Sequence, residues 1–295
     1  MARCVVLFLM VAVLGLLLGC NHAITTGERR ASFQPYAEMT IAGTNAAEFL
    51  LRRTALLVNE GGGVGSATAI DRRGYFLTAA HCVGNEVVRL VVGRDAHHRF
   101  VVPARVVWRG DLTQGGPDLA LLRTAWPIPH AFEWAPEVTV GQPVLVCGPD
   151  YEEGVERTFQ LDCLAGRVKA TGRRGGAGNG KDGGAPGGRV AASARPPPME
   201  GGPGEVEEFR HDAPVHHGDS GGPVVGLDGR LIGINFATVR LVFLPSIAMR
   251  VGVNASRPDL AWLRSLIEAD DLAFRARAMR RSGEPEPEPG TTAGR

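Results

Sequence analysis

Apolar residues in this chain come in short runs broken by turn formers, and seldom at helical spacing. Leu56–Val58 is followed by the turn Gly61–Gly63 and the run Ser66–Ile70. The turn Asp71–Gly74 then leads into a returning run, Tyr75–Thr78. Further runs lie at Val87–Val92, Phe100–Trp108, Leu119–Leu122, Val144–Cys147 and Thr158–Val168, then at Val206–Phe209, Val224–Leu227, Leu231–Phe236 and Leu241–Leu244. Runs this short, bounded by Gly, Pro, Asp and Asn, predict strands joined by hairpins. So many of them predict an all-β barrel or sandwich. Helix is expected in two places. Asn45, with Glu48 three residues on, starts a short helix over Ala46–Arg53. Ser256, with Asp259 three residues on and Pro258 in the first turn, caps a second. Leu260, Leu263, Leu266 and Ile267 carry it to about Arg280.

Two segments break the pattern. Thr171–Gly204 holds 12 glycines and the run Pro196–Pro198, with almost nothing apolar. It cannot bury enough surface to order itself, and reads as an insertion on the domain surface. The tail from Ser282, with its Glu-Pro repeats, reads as disordered. At 295 residues and 44% hydrophobic, the chain can build one large domain or two small ones. A net charge of +1 offers nothing to nucleic acid.

The N-terminus reads as an export signal. Arg3 is followed by an uncharged stretch, Val5–Gly19, too short for the roughly 20 residues of a membrane span. Leu17-Leu18-Gly19-Cys20 resembles a bacterial lipobox, which implies cleavage after Gly19 and lipidation of Cys20. An ordinary secretory signal is the alternative. Of the five cysteines, Cys82, Cys147 and Cys163 then remain. Cys147 and Cys163 lie on successive apolar runs, and a disulfide between them suits an oxidising compartment. Cys82 is left over and reads as a buried thiol packing as a small hydrophobe.

Candidate chemistry starts at Gly218-Asp219-Ser220-Gly221-Gly222-Pro223. Glycine reaches the backbone angles a tight turn needs, so a hydroxyl can project from it. Small neighbours let a carbonyl approach backbone N–H groups. Alone, such a run is equally a surface turn. A base candidate is His81, closing the apolar strand Leu77-Thr78-Ala79-Ala80-His81-Cys82. An acid candidate is Asp118, opening Leu119–Leu122, where a buried carboxylate needs a partner. Taken singly, His81 is equally a packed or capping residue and Asp118 a turn residue that starts a strand.

Together, in this order, the three segments resemble the His, Asp and Ser segments of the chymotrypsin-like serine proteases over residues 54–267. The resemblance implies two packed six-stranded antiparallel β-barrels with a C-terminal helix. It also implies Ser220 as nucleophile, His81 as general base and Asp118 as its orienting acid, with the Gly218 and Ser220 N–H groups as oxyanion hole. Asp212–Ser220 and Leu231–Asn235 resemble the HtrA/DegP type. Only about 28 residues follow Ile267, so a PDZ domain is not expected. The segment Val64–Ile70 lacks the cysteine that pairs with the His-segment cysteine in animal trypsins, which leaves Cys82 unpaired. Ile41-Ala42-Gly43-Thr44 is only loosely similar to an activated trypsin N-terminus, and Met39-Thr40 is no trypsin cleavage site. Zymogen activation is the minor alternative; otherwise Asp219 needs another partner or water. Pro214 stands where trypsins carry their specificity acid, and Asn235, Phe236, Ala237 and Thr238 would line the pocket, which predicts apolar or small P1 residues. His217 adjoins Gly218 and is placed to touch substrate.

The pairs His97-His98 and His216-His217 put neighbouring side chains on opposite faces, so no metal and no cofactor is expected. The resulting organisation is a signal peptide over 1–19, a tether over 20–43, a peptidase domain over 44–270 containing the 171–204 insertion, and a helix end and tail over 271–295. The expected partners are polypeptide substrates and a membrane, in a bacterial cell envelope. A catalytically silent binding module and a chaperone-like envelope factor are the alternative functions.

Overall fold

The computed structural model describes residues 38–59, 63–84, 87–93, 99–150, 160–174, 206–216, 218–244 and 247–282. A hairpin of β1 (Thr40–Ile41) and β2 (Thr44–Asn45) leads into α1 (Ala46–Leu51). Asn45 caps α1, its Oδ1 accepting from the Ala47 and Glu48 N–H groups at 3.0 and 3.4 Å. The first barrel contains β3 (Thr54–Val58), β4 (Val64–Asp71), β5 (Tyr75–Thr78), β6 (Val87–Gly93), β7 (Arg99–Arg109) and β8 (Ala120–Thr124). It closes in the order β3-β4-β5-β8-β7-β6. The second contains β9 (Pro143–Asp150), β10 (Gln160–Arg174), β11 (Val206–His211), β12 (Pro223–Gly226), β13 (Leu231–Leu244) and β14 (Ile247–Arg257). It closes as β10-β11-β14-β13-β12-β9, and every pairing in both barrels is antiparallel.

Small barrels leave little interior, so inward positions mix small and large side chains. In the first, Ala55, Ala67, Ala69, Ala104 and Ala120 make room for Phe76, Leu90 and Leu122. The second packs Val144, Val146, Val224 and Ile232 around Phe209. The linker between them bonds to both, Ile128 N–H donating to Arg72 O and Ala135 N–H to Leu231 O, each at 2.8 Å.

Four sequence expectations are corrected. The last residues of the supposed tether belong to the fold. Ile41 is 3% exposed, and its Cγ2 lies 2.3 Å from where a Cβ on Gly229 would stand. The supposed insertion starts later, because β10 runs on through Thr171–Arg174; residues 175–204 lie outside the described residues. The runs at Leu231 and Leu241 are one strand, paired with β14 from Ile234 to Leu244, which the run pattern did not reveal. Ser256 is therefore a buried strand residue and caps nothing. The helix α2 (Leu260–Ser282) is capped by Asp259, whose Oδ1 accepts the Trp262 N–H at 2.7 Å. Among the described residues, no helix is long and apolar enough to cross a membrane.

Candidate active site

The register of β5 against β8 decides where two of the candidates fall. Thr78 lies opposite Ala120, so the residues just past β5 and just before β8 emerge at one end of the barrel. His81 sits there in a 3-10 turn, Ala80–Cys82. Asp118 grips it twice. Its Oδ1 accepts the His81 backbone N–H at 3.0 Å, and its Oδ2 lies 2.7 Å from His81 Nδ1. The first contact fixes the turn and the second orients the ring, leaving Nε2 turned away from the carboxylate. The Asp118 side chain is 15% exposed and that of His81 42%. The bond to Asp118, with the Cys82 sulfur adding to it, pushes the His81 pKa up to about 10 against the opposing effect of burial.

Ser220 sits in the turn between β11 and β12. Asp219 closes that turn on itself: its N–H donates to His216 O at 3.2 Å and its Oδ2 accepts the His216 N–H at 2.6 Å. That backbone N–H is the carboxylate partner the sequence did not reveal. Ile41 packs elsewhere, on the Gly229 turn. Gly221 N–H donates to Asn235 O at 2.7 Å, and Asn235 N–H returns to Gly222 O at 3.0 Å. Among the described residues no acceptor takes the N–H of Gly218 or Ser220, while the N–H between them is tied back.

The first barrel holds the turn in place through residues that sequence reasoning missed. Ser66 N–H donates to Ser220 O at 2.7 Å, and Ser66 Oγ to Gly218 O at 2.8 Å. Thr68 Oγ1 donates to Gly221 O at 2.9 Å, and Thr78 Oγ1 to Ser66 O at 2.7 Å. Cys82 Sγ reaches Ser220 O at 3.7 Å, so the thiol is buried as expected but also touches the turn that carries Ser220. Among the described residues no hydrogen bond joins His81 to Ser220; such contacts often close only with substrate bound.

Gly221 has no room for a side chain. It has φ 86°, and an added Cβ would lie 2.0 Å from Ser66 O and 2.3 Å from Thr78 Oγ1. Gly221→Ala is expected to lose at least the roughly 1–2 kcal/mol of left-handed strain, and more from the clash with backbone. A thermal melt checks this; an unchanged midpoint contradicts it.

The other pocket candidates lie on β13, beside the Ser220 turn, and at Pro214 before it. Pro214 and Phe236 are half-buried, and Phe236 packs against the core of the first barrel. Asn235 is 2% exposed, with Oδ1 2.7 Å from His211 Nε2. Ala237 and Thr238 continue β13 opposite Asn254 and Val253. Cys147 and Cys163 are direct register partners, both buried, with sulfurs 2.8 Å apart. His217 and Cys20 lie outside the described residues. Among the described residues, no cluster of three or more His, Cys, Asp or Glu could hold a metal.

A family model for the trypsin-like peptidase domain matches residues 65–234, more than half of the chain, and spans His81, Asp118 and Ser220. The chain belongs to the trypsin-like peptidase domain family. It is a serine peptidase with the two-barrel chymotrypsin fold. Solved structures similar to this peptidase include the Rv3671c protease of M. tuberculosis in an inactive form. That structure is 19% identical, with 75% of this chain and 89% of that one covered and a TM-score of 0.46. The HtrA-type protease AlgW with a tripeptide is 22% identical, covering 72% and 58%, with a TM-score of 0.48. The MamO protease domain of Magnetospirillum magneticum is 19% identical, covering 74% and 97%, with a TM-score of 0.48. No curated protein sequence matches the peptidase.

Proposed function

We propose that the peptidase is an endopeptidase of exported or envelope proteins, working through an acyl-enzyme. Ser220 attacks the scissile carbonyl, and His81 takes its proton and later hands it to the leaving amine. Asp118 holds the ring in the right tautomer. The Gly218 and Ser220 N–H groups receive the oxyanion. The observation that carries this reading is the double grip of Asp118 on His81, at 3.0 and 2.7 Å. A silent binding module has no use for an oriented imidazole. Mixing the purified protein with an activated ester is the test. The proposal expects a burst of alcohol equal to the enzyme present, followed by slow turnover. Release without a burst, at a rate equal to a His81→Ala variant, contradicts it. A preference for apolar or small P1 residues belongs to the same proposal, and strong cleavage after Arg in a peptide library contradicts that part.

Lipid anchoring at Cys20 in the cell envelope is the second part of the proposal. It expects Cys20→Ser to leave the membrane fraction, and retention there counts against it. In that oxidising compartment a disulfide-bearing oxidant takes the two electrons and two protons of the facing Cys147 and Cys163 thiols, which close to a disulfide. Reducing it should lower the melting temperature by roughly 6–12 °C, the effect of about 3 kcal/mol for a loop of this length. Two separate thiols in a non-reducing peptide map of the exported protein contradict the bond.

A further inference from the structure

One cavity has no part in this chemistry. It opens at one end of the first barrel and measures about 340 Å³, at the lower end of the roughly 300–1,000 Å³ of small-ligand sites. Its wall is apolar, with Val92, Ile128 and Phe100 over a floor of Ala69 and Phe76, each 1% exposed. Phe100 is 53% exposed and Trp126, two residues before Ile128, is 59% exposed.

Three residues break the apolar lining: Arg52, Arg53 and Thr54. Thr54 is 2% exposed, yet among the described residues its hydroxyl has no hydrogen-bond partner, and neither has Arg52 Nε. Covered polar groups left without partners call for an explanation. Arg52 also gives one terminal nitrogen to Glu48. Arg53 stands fixed over the Phe49 ring, 3.6 Å from its centroid, and donates to Phe49 O at 2.9 Å and to Ala131 O at 3.1 Å. Burial lowers the Arg53 pKa, as do the charges of Arg72 and Arg52, while Glu133 opposes them. Two guanidinium groups therefore line an otherwise apolar hole, that of Arg52 shared with Glu48.

The geometry points to a binding site for an anionic amphiphile, a medium-chain fatty acid. Its acyl chain lies against Phe76, Val92, Ile128 and Phe100, and its carboxylate meets the Arg52 guanidinium and the Thr54 hydroxyl. Both polar atoms are covered in the structure, so the carboxylate reaches them by rotation of the two side chains. An acyl chain suits this cavity better than a peptide does. The barrel is closed, so the wall offers a peptide no strand edge to pair with. An acyl chain needs only apolar contact.

Titration calorimetry with decanoate, methyl decanoate and decylamine tests this on the purified protein. Saturable one-site binding of decanoate is expected, with the ester and the amine at least about tenfold weaker. Arg52→Ala should weaken decanoate about tenfold or more, and Thr54→Val several-fold. Thr54→Val only exchanges an unpartnered hydroxyl for a methyl, so it should fold and remain informative if Arg52→Ala does not. Absence of saturable decanoate binding, equal binding of all three probes, or unchanged binding in Thr54→Val overturns the site.

Discussion

Ser220→Ala is expected to lower kcat on the order of 10⁶-fold, with no change in folding. The side-chain oxygen of Ser220 makes no hydrogen bond among the described residues, and the turn is held by its backbone. Ser220 O keeps the Ser66 N–H at 2.7 Å whatever the side chain, and the bonds from Ser66 Oγ and Thr68 Oγ1 go to the carbonyls of Gly218 and Gly221. The variant should therefore melt with the native protein while losing turnover. Steady-state hydrolysis beside a thermal melt reads both. A variant that keeps native turnover would remove Ser220 from the mechanism.

Asp118→Asn carries the second largest effect, a loss of about 10⁴-fold in kcat. Asn can still accept the His81 backbone N–H, so the turn survives. It cannot stabilise an imidazolium, and its amide favours the wrong ring tautomer. The pH profile gives the change a second signature. Asp118 is the largest cause holding His81 up at about 10, above its ordinary 6.5. Below that raised pKa the ring is protonated and cannot take the serine proton. In the native enzyme kcat/KM should therefore rise with pH, with its limb on the alkaline side of 6.5. Asp118→Asn should move the limb to lower pH while the plateau falls. The stability linkage runs the other way. A raised folded pKa adds stability that is full below the unfolded value and fades as pH rises through the folded one. With the His81 side chain 42% exposed, that contribution is small. A limb that stays in place in the variant contradicts the assignment of Asp118.

Much of the fold could be read from the alternation of short apolar runs and turns, because barrel strands carry their pattern locally. Asp71–Gly74 shows this: Gly74 takes φ 96° and the two flanking runs pair as a hairpin. The pairing of His81 with Asp118 was readable only through the order of the motifs, since the β5–β8 register that joins them is not a local property. Ser66 and Thr68 show what the pattern hides. They alternate with Ala67 and Ala69, and a polar face on a strand ordinarily means water. Here both are 0% exposed, because the serine turn covers that face and takes their hydrogen bonds. Ser256 misled for a related reason. A serine three residues before an aspartate resembles a cap in one dimension, but the β13–β14 pairing places it opposite Ile234 in the sheet. The partner of Asp219 was hidden because a backbone N–H three residues away leaves no mark in the sequence.

Labelling with a fluorophosphonate probe, followed by peptide mapping, tests the central claim most directly. The account predicts one phosphonylated residue, Ser220, with labelling lost in Ser220→Ala and in His81→Ala. A folded, fully processed protein that takes no label, or a label that persists in Ser220→Ala, would contradict it.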